Sequence, residues 1–144
     1  MSCCNSDLHN NIHPRRAISP VSVADTTAQV SQIIDMQGYG ALEFLISTGP
    51  IADVDATFTV LVEDGDAANL SDAAAVADAQ LLGTELLAGF QFDDDNEVRK
   101  IGYVGIKRYV RLTITPVANA SAALLSAVAV MGSPSIVPTA NPPV

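Results

Sequence analysis

Runs in which apolar and polar residues alternate, separated by turn residues, dominate this chain. ATFTVLVED (56–64) is the clearest: Phe58, Val60 and Val62 form one face, and Thr57, Thr59, Leu61 and Glu63 the other. A period of two puts successive side chains on opposite sides of a pleated strand, and β-branched and aromatic residues suit that surface. ALEFLIST (41–48) repeats the pattern, with Leu42, Phe44 and Ile46 opposite Glu43, Leu45 and Ser47. Gly49-Pro50 predicts its end. KRYVRLTIT (107–115) turns Val110, Leu112 and Ile114 inward and Tyr109, Arg111, Thr113 and Thr115 outward.

Weaker runs extend the pattern. AISPVSV (17–23) reads as a short strand, and Pro20, which lacks an N–H, places it at a sheet edge. AQVSQIID follows as a second strand with Val30 and either Ile33 or Ile34 inward, and GYG (38–40) as a turn. LSDAAAVADAQLLG breaks the alternation. Its alanines, with Ser71 or Asp72 as N-cap, predict the one helix, near 71–79. Strands are expected at 86–92 and 98–104 around an acidic turn at 93–97, and ALLSAVAVMG reads as the last strand. Its alanines permit close sheet-to-sheet or subunit contact. The polar residues 1–16 and the stretch from Ser133, with prolines at 134, 138, 142 and 143, read as extended arms. The expectation is an all-β protein, an antiparallel β-sandwich or jelly roll over 17–132 with one short helix and two arms, 1–16 and 133–144.

Composition narrows the function classes. At 144 residues, 49% of them hydrophobic, the chain can bury one ordinary core. No apolar run approaches the roughly 18 residues of a membrane-spanning helix, so no membrane partner is expected. The opening MSCCNSDLHNN lacks the apolar core of a signal peptide, and cytosolic synthesis is expected. The two cysteines, Cys3 and Cys4, are adjacent and poorly placed to bridge each other. Net charge is −9, unevenly divided: all sixteen acids lie at or before Glu97, and the residues after it carry five bases and no acid. An acidic chain is a poor ligand for bulk nucleic acid, whereas divided charge favours matching within the fold or against a partner.

Candidate chemistry is sparse. No G-x-S-x-G elbow occurs, and both histidines, His9 and His13, fall in the expected arm, where packing would not position a base. No enzyme is expected and no cofactor is implied. CC and HNNIH put two thiols and two imidazoles close together, but adjacent cysteines seldom share one ion and the Glu of H-E-x-x-H is missing. DDDNE (93–97) and EDGD (63–66) offer oxygen ligands without EF-hand spacing and read more simply as turns. No metal is expected. NLS and NAS match the glycosylation pattern but have no reader without a secretory route.

The five late bases, Arg99, Lys100, Lys107, Arg108 and Arg111, fall within thirteen positions. Three readings compete: cross-strand pairing with acids of this chain, nucleic-acid contact assisted by Tyr103 and Tyr109, or a strip that meets an acidic face of another copy or another protein. With Arg15 and Arg16 of the arm, these residues are the candidate interface set.

TFTVLVEDGDAANLSDAAAVADAQLLGT, RKIGYVGIKRYVRLTITP and AVAVMGSP together resemble small structural proteins of tailed bacteriophages and prophages, over about Arg16 to Pro134. The resemblance implies a capsid cement, or decoration, protein. Such a protein is β-rich, binds the outer surface of an expanded shell, commonly as a homotrimer, and has the major capsid protein as partner and the virion as location. The alternative within the same origin is a head–tail connector or tail component. A glycan-binding module, a rival from another class, would want an exposed aromatic platform, and the chain has three Tyr and no Trp.

Overall fold

A computed structural model describes residues 6–143. Its strands are β1 (His13–Val23), β2 (Gln29–Val30), β3 (Ile34–Asp35), β4 (Tyr39–Ile51), β5 (Thr57–Gly65), β6 (Ala74–Ala75), β7 (Leu81–Leu82), β8 (Phe90–Gln91), β9 (Val98–Tyr103), β10 (Tyr109–Val117) and β11 (Ala123–Pro134), with one short α-helix, α1 (Glu85–Ala88). One sheet runs β1-β11-β4-β9-β7. In the other, β10 lies between β5 and the short pieces β2 and β3, and β6 and β8 pair with the far edge of β5. All pairings are antiparallel. The chain is a β-sandwich.

The alternating runs build its core. Phe44 and Ile46 of β4, Ile101 of β9 and Ala127, Ala129 and Met131 of β11 face Phe58 and Val62 of β5 and Val110, Leu112 and Ile114 of β10. The alanines of β11 keep the inner surface of that central strand low.

Proline positions follow the ladders. β1 is an edge strand, and its register against β11 slips on both sides of Ile18, so Pro20 costs no pairing. Pro116 lies inside β10, opposite Phe58 of β5. Its ring nitrogen points to the other side, where β2 has already ended opposite Ile114.

Several expectations are corrected. β4 does not stop at Gly49-Pro50. It continues to Ile51 through a slip in its register with β11. Val30 is 54% exposed, and Ser31 is buried in its neighbourhood, its Oγ accepting from the Leu112 N–H at 2.9 Å. Ile34 does face the core. Residues 71–79 form no α-helix: Ala74 and Ala75 pair with β5, and the Val76 N–H donates to the Val62 carbonyl at 3.0 Å. Asp72 does not cap a helix there but accepts from the N–H groups of Asp66 and Ala67, closing a turn. The α-helix falls instead in the segment expected as a strand at 86–92, with Thr84 Oγ1 accepting from the Leu87 N–H as N-cap.

The terminal segments are not separate arms over the described residues. β1 begins at His13, so residues 13–16 are strand rather than arm. The Thr139 N–H donates to the Asn10 carbonyl at 3.0 Å, and Thr139 Oγ1 to the Ile12 carbonyl at 2.5 Å, binding one end of the chain to the other. Cys3 and Cys4 lie outside the described residues.

Candidate interaction surface

The candidate bases are close in sequence but divided in space. β9, carrying Arg99 and Lys100, belongs to one sheet, and β10, carrying Arg111, to the other. Lys107 and Arg108 lie on the connection between them. They form no single strip.

Four of the five are committed within the chain. Arg99 shares the inward side of β9 with Ile101 and Tyr103, and its guanidinium reaches Glu97 Oε1 at 2.6 Å and Asp94 Oδ1 at 3.1 Å. Lys107 Nζ meets Asp66 Oδ2 at 2.8 Å, and Arg111 Nε meets Glu63 Oε1 at 3.0 Å. The last pair follows from register, since Arg111 and Glu63 stand directly opposite in the β10–β5 ladder. Arg108 forks onto Asp35, with Nε to Oδ1 and Nη2 to Oδ2 both at 2.9 Å, and its guanidinium carbon lies 5.0 Å from the Tyr109 ring centroid. The Lys107–Asp66 and Arg108–Asp35 pairs are exposed and worth about 0–1 kcal/mol each, whereas Arg99–Asp94 and Arg111–Glu63 are partly buried.

The remaining bases are placed differently. Arg16 donates to Ser19 Oγ at 2.6 Å and to Gln32 Oε1 at 3.4 Å. Arg15 is near enough to Asp35 to favour its ionised form. Lys100 points to the outer face of its sheet, next to Leu45 and within electrostatic reach of Glu43.

These pairs also account for the acidic clusters. In EDGD, Glu63 and Asp66 hold bases, and Asp64 accepts a hydrogen bond of 2.6 Å from the Tyr103 hydroxyl. That bond joins β9 of one sheet to β5 of the other, with both residues buried. Burial first, and then the bond to Asp64, pushes the Tyr103 hydroxyl well above its ordinary pKa. Tyr103 is therefore no stacking platform. A β-carbon on Gly105 would lie 2.5 Å from the Tyr103 ring, which explains glycine at that position. The DDDNE turn is pinned to β4: Thr48 Oγ1 accepts from the Glu97 N–H at 2.9 Å, and Asp95 Oδ1 from the Ile51 N–H at 3.3 Å. Among the described residues no three His, Cys, Asp or Glu side chains converge as a metal site. His13 is buried beside Tyr39, with ring centroids 5.6 Å apart.

The Asp35–Arg108 pair has a definite pH signature. The Arg108 hydrogen bonds hold the Asp35 carboxyl below its usual 3.8. A depressed carboxyl contributes stability above its unfolded pKa and loses it as pH falls through the folded value. Arg108→Gln should therefore lower the melting temperature at neutral pH, and the difference from wild type should vanish in thermal melts taken progressively below pH 4.

The surface that sequence reasoning passed over is the outer face of the β1-β11-β4-β9-β7 sheet. Arg16, Val128, Leu45 and Lys100 form one cross-strand row on it, and Val130 stands opposite Glu43 in the next. Leu124 and Val128 are 41% and 40% exposed on the central strand β11, whose inner face is also apolar. Glu43 lies across Gly102: a β-carbon there would be 2.8 Å from its Oε1 and 3.0 Å from Leu82. Partial burial raises the Glu43 carboxyl above its usual pKa, and Lys100 opposes the rise. The signal was present in ALLSAVAVMG, which is apolar on both faces where a strand with one solvated face would alternate.

No family model matches the chain, and no curated protein matches it. Three solved structures illustrate its likenesses. A protein of Bacillus endospore appendages, described as disulfide-linked pili, is 11% identical with a TM-score of 0.44, over 92% of this chain and 96% of that one. The SPBc2 prophage-derived protein YomS is 13% identical with a TM-score of 0.42, over 81% and 94%. The xylan-binding module CBM15 is 10% identical with a TM-score of 0.44, over 90% and 95%. Likenesses this distant assign no function to the chain.

Proposed function

We propose that this protein is a virion structural protein that adheres to the outer surface of a tailed-phage capsid and stabilises the shell. Its partner in this reading is the major capsid protein, its location the virion, and self-association as a homotrimer belongs to the same reading. The sequence resemblance supplies the phage origin. The observation that carries adhesion is the outer face of the β1-β11-β4-β9-β7 sheet, where Val128 and Leu45 sit on central strands between Arg16 and Lys100, with Val130 in the next row. A contiguous apolar face rimmed by charge suits broad, non-catalytic contact with another protein. Symmetry would repeat that contact many times, so modest affinity per copy gives firm attachment.

The test follows from the placement of these residues on the outer face, where Val128 is 40% exposed and Leu45 half-buried. Leu45→Asp with Val128→Asp places two carboxylates on the outer face without entering the core. Occupancy on purified particles should fall by at least about tenfold, the equivalent of 1.4 kcal/mol per contact. Circular dichroism should show an unchanged fold. Wild-type occupancy by the double variant would remove this face from the contact.

A further inference from the structure

The edge of β5 away from β10 is covered in two separate pieces. β8 pairs with Thr57 and Phe58, and β6 with Glu63 and Asp64. Between them, Val62 is satisfied from outside the ladder: its carbonyl accepts from the Val76 N–H at 3.0 Å, and its N–H donates to Glu85 Oε2 at 2.8 Å. Both backbone groups of Val62 thus point away from β10. Residues two apart on a strand point their N–H and C=O the same way, and the β5–β10 register is unbroken here. The Val60 N–H and C=O therefore face the same open edge. The chain opposite them has left strand geometry, because α1 ends at Ala88 and the Ala88 and Gly89 N–H groups bond back to Thr84 and Glu85. Among the described residues no group bonds the edge-facing N–H and C=O of Val60.

Val60 lines a groove of about 500 Å³ together with Thr59, Glu85, Leu86, Gly89 and Asp94. Leu86 is 89% exposed at its rim. The lining charges are acidic, and Asp93 is exposed in the adjoining turn. Arg99, which donates to the Gly89 carbonyl at 3.4 Å, is already shared between Asp94 and Glu97.

We propose that this groove receives an extended, positively charged peptide segment of a partner protein, which adds to β5 as a short strand through the N–H and C=O of Val60. An unpaired strand edge is a template for another extended backbone, and main-chain bonds supply affinity while flanking side chains supply selectivity. Here selectivity would come from a basic side chain near Glu85 and Asp93 and an apolar one against Leu86. The proposal does not depend on the shell-binding reading, since the groove lies on the other sheet.

The experiment is an amide NMR titration of the full chain with a capped Thr-Lys-Val-Lys-Thr peptide, whose central Val pairs with the core-facing Val60 and whose Lys side chains take the outer side. Controls are the same peptide with Glu for both Lys and with the main-chain nitrogen of its central Val methylated. The Val60 amide should exchange rapidly with solvent in the free protein and shift saturably with the Lys peptide. The Glu peptide should bind at least about fivefold more weakly, and methylation should abolish the shift, because it removes a main-chain donor. A Val60 amide protected as strongly as that of Val62 before any addition would overturn the proposal, as would equal binding of the methylated peptide. A Val60 shift that tracks protein concentration alone would replace the partner with a second copy. A shift produced by xylohexaose and not by the peptide would replace it with a carbohydrate.

Discussion

Tyr103→Phe should destabilise the protein by about 1–3 kcal/mol, the cost of stranding buried polar groups. The substitution keeps the ring packed against Gly105 and removes only the hydroxyl. That hydroxyl donates to Asp64 Oδ2 at 2.6 Å and accepts from the Lys107 N–H at 3.1 Å. Asp64 is only 8% exposed, so water does not readily replace the lost donor. The bond is also a direct polar tie between the two sheets, from β9 to β5. Each kcal/mol lowers the melting temperature by about 2–4 °C in a domain of this size, so thermal and urea melts resolve the effect. A variant within about 0.5 kcal/mol of wild type would mean that the tie contributes no more than an exposed contact.

Ala129→Leu should cost about 1–3 kcal/mol by overpacking. Ala129 has no exposed surface, and it lies on the central strand β11 opposite Phe44 of β4 and Arg15 of β1. The added isobutyl group enters the space between the sheets, where Phe44, Phe58 and Leu112 already pack. Interiors near crystalline density absorb such a group only by displacing side chains or backbone. Urea unfolding should show a lower midpoint. An unchanged midpoint would mean that free space beside Ala129 accepts the larger side chain. Val128→Leu, one residue away on the outer face, is the matched control and should leave the midpoint within about 0.5 kcal/mol of wild type.

What was legible in the sequence was the part governed by local alternation. β4, β5 and β10 show their inward sets directly, and Phe44, Phe58, Val62, Leu112 and Ile114 are in the core as the pattern requires. Pro20 disclosed that β1 is an edge. The Ala-rich stretch 71–79 misled because alanine's helix propensity is worth only tenths of a kcal/mol per residue. An open edge of β5 and a buried Val76 outweigh it. Thr84 before ELLA was a readable N-cap signal for the helix that does form.

The basic residues show a different limit. Arg99 and Arg111 are twelve positions apart, yet the chain changes sheets between them, and the partner of Arg111 is fixed only once the β10–β5 register is known. Of the readings weighed for these bases, cross-strand pairing is the one that describes Arg111, acids in nearby turns and loops hold Arg99 and Lys107, and Asp35 of β3 holds Arg108. That leaves the outer face of the β1-β11-β4-β9-β7 sheet as the better candidate for contact. Its apolar rows arise from the registers of three strand pairs, so sequence alone shows only the run in β11. The groove beside Val60 was less visible still, because it exists where β6 and β8 fail to meet.

The most direct test of the adhesion account is the number of copies of this chain per purified phage particle, measured by quantitative mass spectrometry for wild type and for Leu45→Asp with Val128→Asp. The account predicts on the order of hundreds of wild-type copies, as icosahedral repetition requires, and few of the variant. A wild-type count of about a dozen or fewer, the signature of one ring at a single vertex, or full occupancy by the variant, would contradict it.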